Sequence, residues 1–397
     1  MTVITISNAG GNWNAAGAWV GGVPPTSADD VVATATSGPL TVVAGSNAKS
    51  IDFTNYVSTL TWGNGSALTC AGNFKYVAGM TVVGAGNGGT LTVNTTATIT
   101  AAGKTQPGAM TLNGTSTVIT QADDWIVGGL VILGTTSQPF TLNGNVLHCL
   151  GGLTNTTATV TGTTKISLEG GTWTGAAGGS VANNIDIAGN VTLASTPRYT
   201  TGTLKYVSGV FNAAASTLTV VGSATLQLGA SAHLFNLTFT VALTLTRAAD
   251  LYVDGTTTYP NANITWAGAF NGIFNIIAGT TLTASRTHTF VAGQTETITQ
   301  IGPTFCGTSA FHLKLVSSSP GTRFKMTLPG PAVIAPQNNG ALIYTDATDV
   351  DSSAGYIVYA PGGVLSNTIN WQTADSLSVF RRWPQGMIPI GGLRGQF

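Results

Sequence analysis

Charge is what this chain has least of. Asp, Glu, Lys and Arg make up 7% of its 397 residues, against about 25% in a typical soluble domain. Glu169 and Glu296 are its only glutamates. Catalysis, metal ligation and nucleic-acid binding all need ionisable side chains at set positions, and few are present to place. Fourteen basic and fourteen acidic residues give a formal charge of +0. Such a surface offers phosphate backbones no electrostatic handle, so no nucleic-acid partner is expected. It also removes repulsion between copies, which favours association.

Cysteine is scarce as well. Cys70, Cys149 and Cys306 are far apart, odd in number and without CxxC or metal-ligand spacing, so they read as small buried hydrophobes. Long apolar runs are missing. Mean hydropathy is +0.28, yet Thr, Ser, Asn and Gly interrupt each apolar stretch before it reaches about 20 residues. The scattered aromatics form no girdle of a membrane barrel, and no membrane insertion is expected. The opening Met-Thr-Val-Ile-Thr-Ile-Ser-Asn has no basic or long apolar region, so no secretory signal is expected there. Helical periodicity is absent over any useful length.

What is present is two-residue alternation. Thr90–Val93, Ala97–Thr100, Ser216–Val220, Ala224–Leu228, Ala242–Thr246 and Thr280–Thr283 place apolar residues on one face and mostly Thr on the other, the pattern of short strands. Turns such as Gly63-Asn64-Gly65 and Gly86-Asn87-Gly88-Gly89 separate such runs. Thr90-Leu-Thr-Val is echoed at Thr217, and Lys75-Tyr-Val at Lys205, without a strict period. Irregular rungs of roughly 20–30 residues suit a parallel β-helix, or β-solenoid, with coils about 4.8 Å apart. Stacked like charges would repel, whereas hydroxyl and amide ladders do not, which makes the low charge intelligible. A β-sandwich array, built on hairpins, is the alternative.

The two ends differ from the middle. Trp13, Trp19, the Gly21-Gly22-Val23-Pro24-Pro25 turn and Asp29-Asp30 read as a cap over residues 1–35: bulky rings cover the core and the Pro-rich turn stops edge pairing. Residues 36–300 then form the solenoid, and 301–379 a more irregular β module in which 313–328 reads as strand, turn and strand. Residues 380–397 hold three of the seven arginines. There Phe380, Arg381, Arg382, Trp383, Arg394 and Phe397 form a candidate docking tail.

The opening with Trp13, Trp19, Val23-Pro24-Pro25 and Asp29-Asp30-Val31 resembles the start of G8-like and related β-helix proteins of bacterial surfaces and tailed-phage virions. The segment from Phe311 to Trp371, with its Ser-Ser-x-Pro-Gly-Thr turn and final Asn-x-x-Asn-Trp, resembles their closing module. Together these cover about a quarter of the chain. The resemblance implies a structural or adhesive protein, trimeric where it belongs to a virion.

Chemistry-bearing clusters are few. Asp123 and Asp124 beside Trp125 are the best local pair for glycan cleavage, which needs two carboxylates about 5–10 Å apart. Adjacent strand residues face opposite ways, however, so a turn or cap role is expected. Asp346, Asp349 and Asp351 form the densest acidic patch, a weak calcium candidate without the glycine and distal glutamate of an EF-hand loop. His148, His233, His288 and His312 fall in separate expected strands without ligand spacing. No cofactor and no catalytic residue are expected. The leading expectation is a non-enzymatic phage virion protein, a decoration, spike or fibre. It would assemble in the host cytoplasm as a homotrimer, dock on other capsid or tail proteins, and could meet a host surface glycan. A glycan-binding adhesin of the bacterial surface and a tailspike-type depolymerase are the alternatives.

Overall fold

The computed structural model describes residues 2–84, 88–113, 118–134, 139–155, 159–162, 164–175, 180–213, 215–249, 251–254, 257–258, 264–267, 272–276, 284–301, 306–328 and 342–373. Among them are many short strands, one 3-10 turn at Ala16–Ala18 and no α-helix, and no helix is long and apolar enough to cross a membrane. Each strand pairing described is parallel; the one antiparallel contact is the isolated bridge between Ile6 and Trp19. The chain is a parallel β-solenoid. A sandwich array would need antiparallel hairpins, and its ladders are absent from the described residues.

The chain divides into two compact units, Met1–Thr240 and Val241–Phe397. In the first, each coil visits three walls. The first wall stacks Val3–Thr5, Asp30–Val32, Ser50–Asp52, Phe74–Lys75, Ala97–Thr100 and Ile119–Gln121, and continues to Asn236–Phe239. The second holds Leu40–Val42, Thr59–Trp62 and Thr81–Gly84, then Thr105–Gln106, Trp125–Val127 and Leu147–Cys149. The third holds Ser46–Ala48, Ala67–Cys70, Thr90–Val93, Met110–Leu112, Val131–Leu133 and Gly152–Asn155. At Lys165–Gly175 and Asn184–Ser195 the second and third walls merge into single long strands, with a register shift between Leu168 and Gly170. Val31 pairs with Ile51, 20 residues on; Phe74 with Ile99, 25 on; Val181 with Tyr199, 18 on. Coils are thus somewhat shorter than the spacing of the turns suggests.

Alternation becomes columns. Ile4, Val31, Ile51, Phe74 and Ile99 stack in register along the inside of the first wall, each buried. Phe53, Tyr56, Phe74, Tyr76 and Trp125 form one aromatic cluster, with Phe74 edge-on to Tyr76 at 4.7 Å. A buried polar chain crosses this core: Trp62 Nε1 donates to Tyr76 Oη at 3.0 Å, and Tyr76 donates to Gln106 Oε1 at 2.7 Å. Outside the third wall, Asn47, Thr69, Thr92, Thr111, Ile132 and Thr154 line up coil upon coil. That column carries no charge.

At the start, Trp13 and Trp19 are buried and meet edge to face at 5.1 Å. Trp19 Nε1 donates to the Trp13 carbonyl at 2.6 Å. The Ser7 amide donates to Ala18 O and the Val20 amide to Thr5 O, so residues 18–20 run along the open edge of Val3–Thr5. Pro25 is buried and Pro24 half-buried. In the second unit, Arg286–Phe290, Leu313–Ser317 and Thr345–Thr348 form one ladder, and Thr295–Ile301, Phe324–Thr327 and Val350–Asp351 another. The two strands within 313–328 therefore belong to different ladders and do not pair with each other. Thr280–Thr283 and the tail from Phe380 to Phe397 lie outside the described residues.

A glycine seam runs between the second and third walls. A Cβ on Gly108 would lie 2.0 Å from Gly89 O, and one on Gly129 2.5 Å from Gly108 C. On Gly151 it would lie 2.4 Å from Gly129 C, and on Gly171 2.2 Å from Gly151 O. Only glycine lets successive backbones meet this closely. Gly129→Ala is expected to cost about 1–3 kcal/mol through forced backbone displacement. Gly17→Ala, where a Cβ meets nothing within 4 Å, should leave the chemical-denaturation midpoint within error. Equal midpoints for both variants would contradict the close approach.

Candidate functional site

The densest mixed cluster of ionisable groups on the outside of the first unit sits on the second wall, beside the glycine seam. Leu147–Cys149, residues 165–168 and residues 184–187 stack there, bringing His148, Ser167 and Asp186 into one outward column. Inward neighbours Leu147, Ile166, Leu168, Ile185 and Ile187 are buried, so alternation turns these polar residues outward. His148 Nδ1 lies 2.5 Å from Glu169 Oε1, and Ser167 Oγ donates to the same oxygen at 2.9 Å. Lys165 Nζ lies 2.5 Å from Asp186 Oδ2. Glu169 is the residue at the register shift, the kind of bulge that re-aims a side chain.

Hydrogen-bond logic limits what this cluster can do. An ionised Glu169 accepts from His148 Nδ1–H, which leaves Nε2 as the acceptor nitrogen. The arrangement has a histidine and an orienting carboxylate. Ser167, however, donates to Glu169 rather than to the imidazole, so no nucleophile–base contact exists. Glu169 and Asp186 are carboxylates from neighbouring coils, and each is closed by its own cation or histidine.

The same pattern recurs. Lys49 pairs with Asp30 at 3.4 Å and Lys75 with Asp52 at 3.9 Å across adjacent coils. In the second unit His312 Nδ1 meets Asp346 Oδ1 at 2.7 Å. Exposed pairs of this kind contribute little to stability, about 0–1 kcal/mol. Their consistent effect is on register, since slipping a coil would place like beside like.

Asp123 and Asp124 do not line one cleft. Asp123 accepts from the Ala101 and Ala102 amides of the preceding coil, at 2.7 and 2.5 Å. Asp124 accepts from the Val146 amide of the following coil at 2.7 Å. The pair staples its turn in both directions. Asn73, Asn184 and Asn190 likewise each accept the amide of a residue one coil on.

Asp346, Asp349 and Asp351 are also dispersed. Asp346 accepts from the Val364 amide and faces His312; Asp349 accepts from the Gly321 amide and Asn367; Asp351 accepts from the Ser353 amide. Among the described residues no group of three His, Cys, Asp or Glu could hold a metal ion. Hydrogen bonds from Asn367 and then the Gly321 amide hold the Asp349 carboxyl below the usual range. Those from Ser353 do the same for Asp351.

Inside the second unit lies a buried cluster that composition does not announce. Arg247 and Glu296 form an ion pair 3% and 2% exposed. Burial raises the Glu296 carboxyl and Arg247 opposes that rise. The Arg247 guanidinium lies 5.8 Å from the Trp266 ring centre, and Trp266 Nε1 donates to His288 Nδ1 at 3.4 Å. Burial, then Arg286, lowers His288 to about 3, so it is neutral. His233 and His312 lie outside strands, unlike His148 and His288. Cys70 and Cys149 are buried and Cys306 is half-buried; burial pushes the Cys70 thiol up to about 12 and the Cys149 thiol higher.

Comparison with family models, with curated proteins and with solved structures finds no match to this chain. The class on the page is a parallel β-solenoid whose charges pair across coils.

Arg247→Met strands a buried carboxylate and is expected to cost about 3–5 kcal/mol in chemical denaturation, whereas Asp52→Ala at an exposed pair should cost under about 1 kcal/mol. The lowered Asp349 and Asp351 carboxyls contribute stability present above the ordinary carboxylate value of about 3.9. It is lost as pH falls through their folded-state values. Asp349→Asn should therefore flatten the acid limb of the unfolding midpoint against pH; an unchanged limb would refute the assignment.

Proposed function

We propose that the chain is a non-enzymatic structural protein of a tailed-phage particle, a decoration, spike or fibre. It assembles in the host cytoplasm, acts as a trimer, and docks on other capsid or tail proteins through residues 380–397. The observation that carries this reading is where the charge goes. The resolved ion pairs join side chains of different coils, and Asp123 and Asp124 serve as staples, so the scarce ionisable groups work for the solenoid itself. What remains outside is a flat, uncharged hydroxyl wall, suited to display. The closed outer face, the shielded thiols and a neutral His288 all favour a passive body over a reacting one.

A second reading, a polysaccharide depolymerase, draws on Glu169 and Asp186, carboxylates of neighbouring coils on one outward face. It requires that one of them be released from its partner when substrate arrives.

Two measurements decide. Light scattering of the purified chain should give about three chain masses, and deletion of residues 380–397 should abolish co-sedimentation with particles while far-UV strand signal persists. Retained co-sedimentation would place the anchor elsewhere. Cleavage of a capsular polysaccharide by the intact chain, lost in Glu169→Gln, would replace this reading with the second.

A further inference from the structure

The second unit carries an open hollow lined by Leu328, Ser353, Gly355, Tyr356, Ile357 and Asn370. Its aromatic member is out of keeping with the rest of the molecule. Every described tryptophan is buried, and most phenylalanines with them, yet Tyr356 is 52% exposed. Ile357 beside it is 39% exposed and Ile369 38%. A tyrosine ring left in water forfeits burial that the fold obtains from its other rings. Its backbone is nevertheless fixed, with the amide donating to Leu328 O at 3.0 Å. Beneath it the chain is too close for any side chain: a Cβ on Gly355 would lie 2.6 Å from Leu328 N.

The polar groups of the hollow are uncharged and oriented. Asn370, at φ 64°, donates both amide hydrogens, to Ser352 O at 3.1 Å and Gly355 O at 3.0 Å. That leaves Asn370 Oδ1 as an acceptor whose direction is set. Ser353 presents a hydroxyl on an exposed residue, positioned by its own amide bond to Asp351 at 2.8 Å. No Asp, Glu, Lys or Arg lines the hollow.

We propose that this hollow binds a neutral glycan, one pyranose ring lying on Tyr356. A pyranose offers an apolar C–H face and a rim of hydroxyls. The tyrosine ring and Ile357 match the face, while Asn370 Oδ1 and Ser353 Oγ match the rim. The absence of charge excludes uronates, sialylated chains and phosphorylated sugars as preferred ligands, because nothing there would replace their hydration. The openness of the hollow suits one ring of a longer surface chain rather than an enclosed small molecule. The proposal rests on reading the protein as a displayed attachment or decoration component, for which it supplies the ligand class.

The test is saturation-transfer NMR and calorimetry on the full chain with three probes: hexasaccharides of glucose, galactose and N-acetylglucosamine. At least one should bind. Tyr356→Ala should weaken that probe about tenfold, the loss of one aromatic contact, and Tyr356→Phe should retain it, since the ring and not the hydroxyl is required. Tyr356 is largely solvated, so Tyr356→Ala should keep the parental unfolding midpoint. Binding of none of the three, or equal binding by Tyr356→Ala, overturns the proposal. So does a Tyr356→Ala effect confined to oligomeric mass, which would assign the ring to a second copy of the chain. Sugar binding by a protein that never co-sediments with particles would sink the virion reading and leave this site standing.

Discussion

Every residue of a coil in a parallel solenoid sits about 4.8 Å from its counterparts in the coils before and after. This stacking constraint governs most of what the chain contains. Apolar residues stacked on apolar residues make a dry column such as Ile4–Val31–Ile51–Phe74–Ile99. Threonine stacked on threonine makes a wall that hydrogen-bonds laterally, as Thr141 and Thr161 do at 3.1 Å. Like charges so stacked would repel at every step. Charge is therefore either absent, as in the Thr69–Thr92–Thr111 column, or placed opposite its complement one coil away.

That same constraint explains why acidic residues that look like site candidates are structural. A turn in a stacked coil leaves amides that the ladder does not engage, and a short carboxylate or carboxamide can receive them. Asp124, Asn73, Asn184 and Asn190 do so toward the next coil, and Asp123 toward the previous one. The asparagine richness of the chain is thus a corner chemistry rather than a sign of disorder. In the second unit, burial instead brings Arg247, Glu296, Trp266 and His288 together, where the low dielectric makes each partner hard to remove.

Strand alternation made the fold class legible from residues such as Thr90–Val93 and Ala97–Thr100, because two-sided patterns survive whatever the strands pair with. The burial of Trp13 and Trp19 was legible too, since two large rings beside a proline pair have few other uses. Pairing partners were harder to see. Coil length varies from 18 to 25 residues, so no fixed offset reveals that His148 meets Glu169 or that Lys165 meets Asp186. Both pairs are 21 residues apart, one coil, and a search for opposite charges at that spacing would have found them. The 313–328 segment misled for a related reason: a Ser-Pro-Gly turn is the same whether it closes a hairpin or a corner. Tyr356 gave no signal at all, because exposure of a single ring depends on what its neighbours leave uncovered.

The glycine seam has a mechanical side. Coils of the first unit are joined to their neighbours by backbone ladders, and each coil bonds only to the one before and the one after. Along the seam no side chain interlocks across the joint, so the ladders alone resist separation there. Tension applied between the ends of such a stack is borne in series. It would release the chain a coil at a time, each of about 20 residues paying out roughly 70 Å of extended polypeptide. A body built this way yields in steps under load and keeps its remaining coils intact.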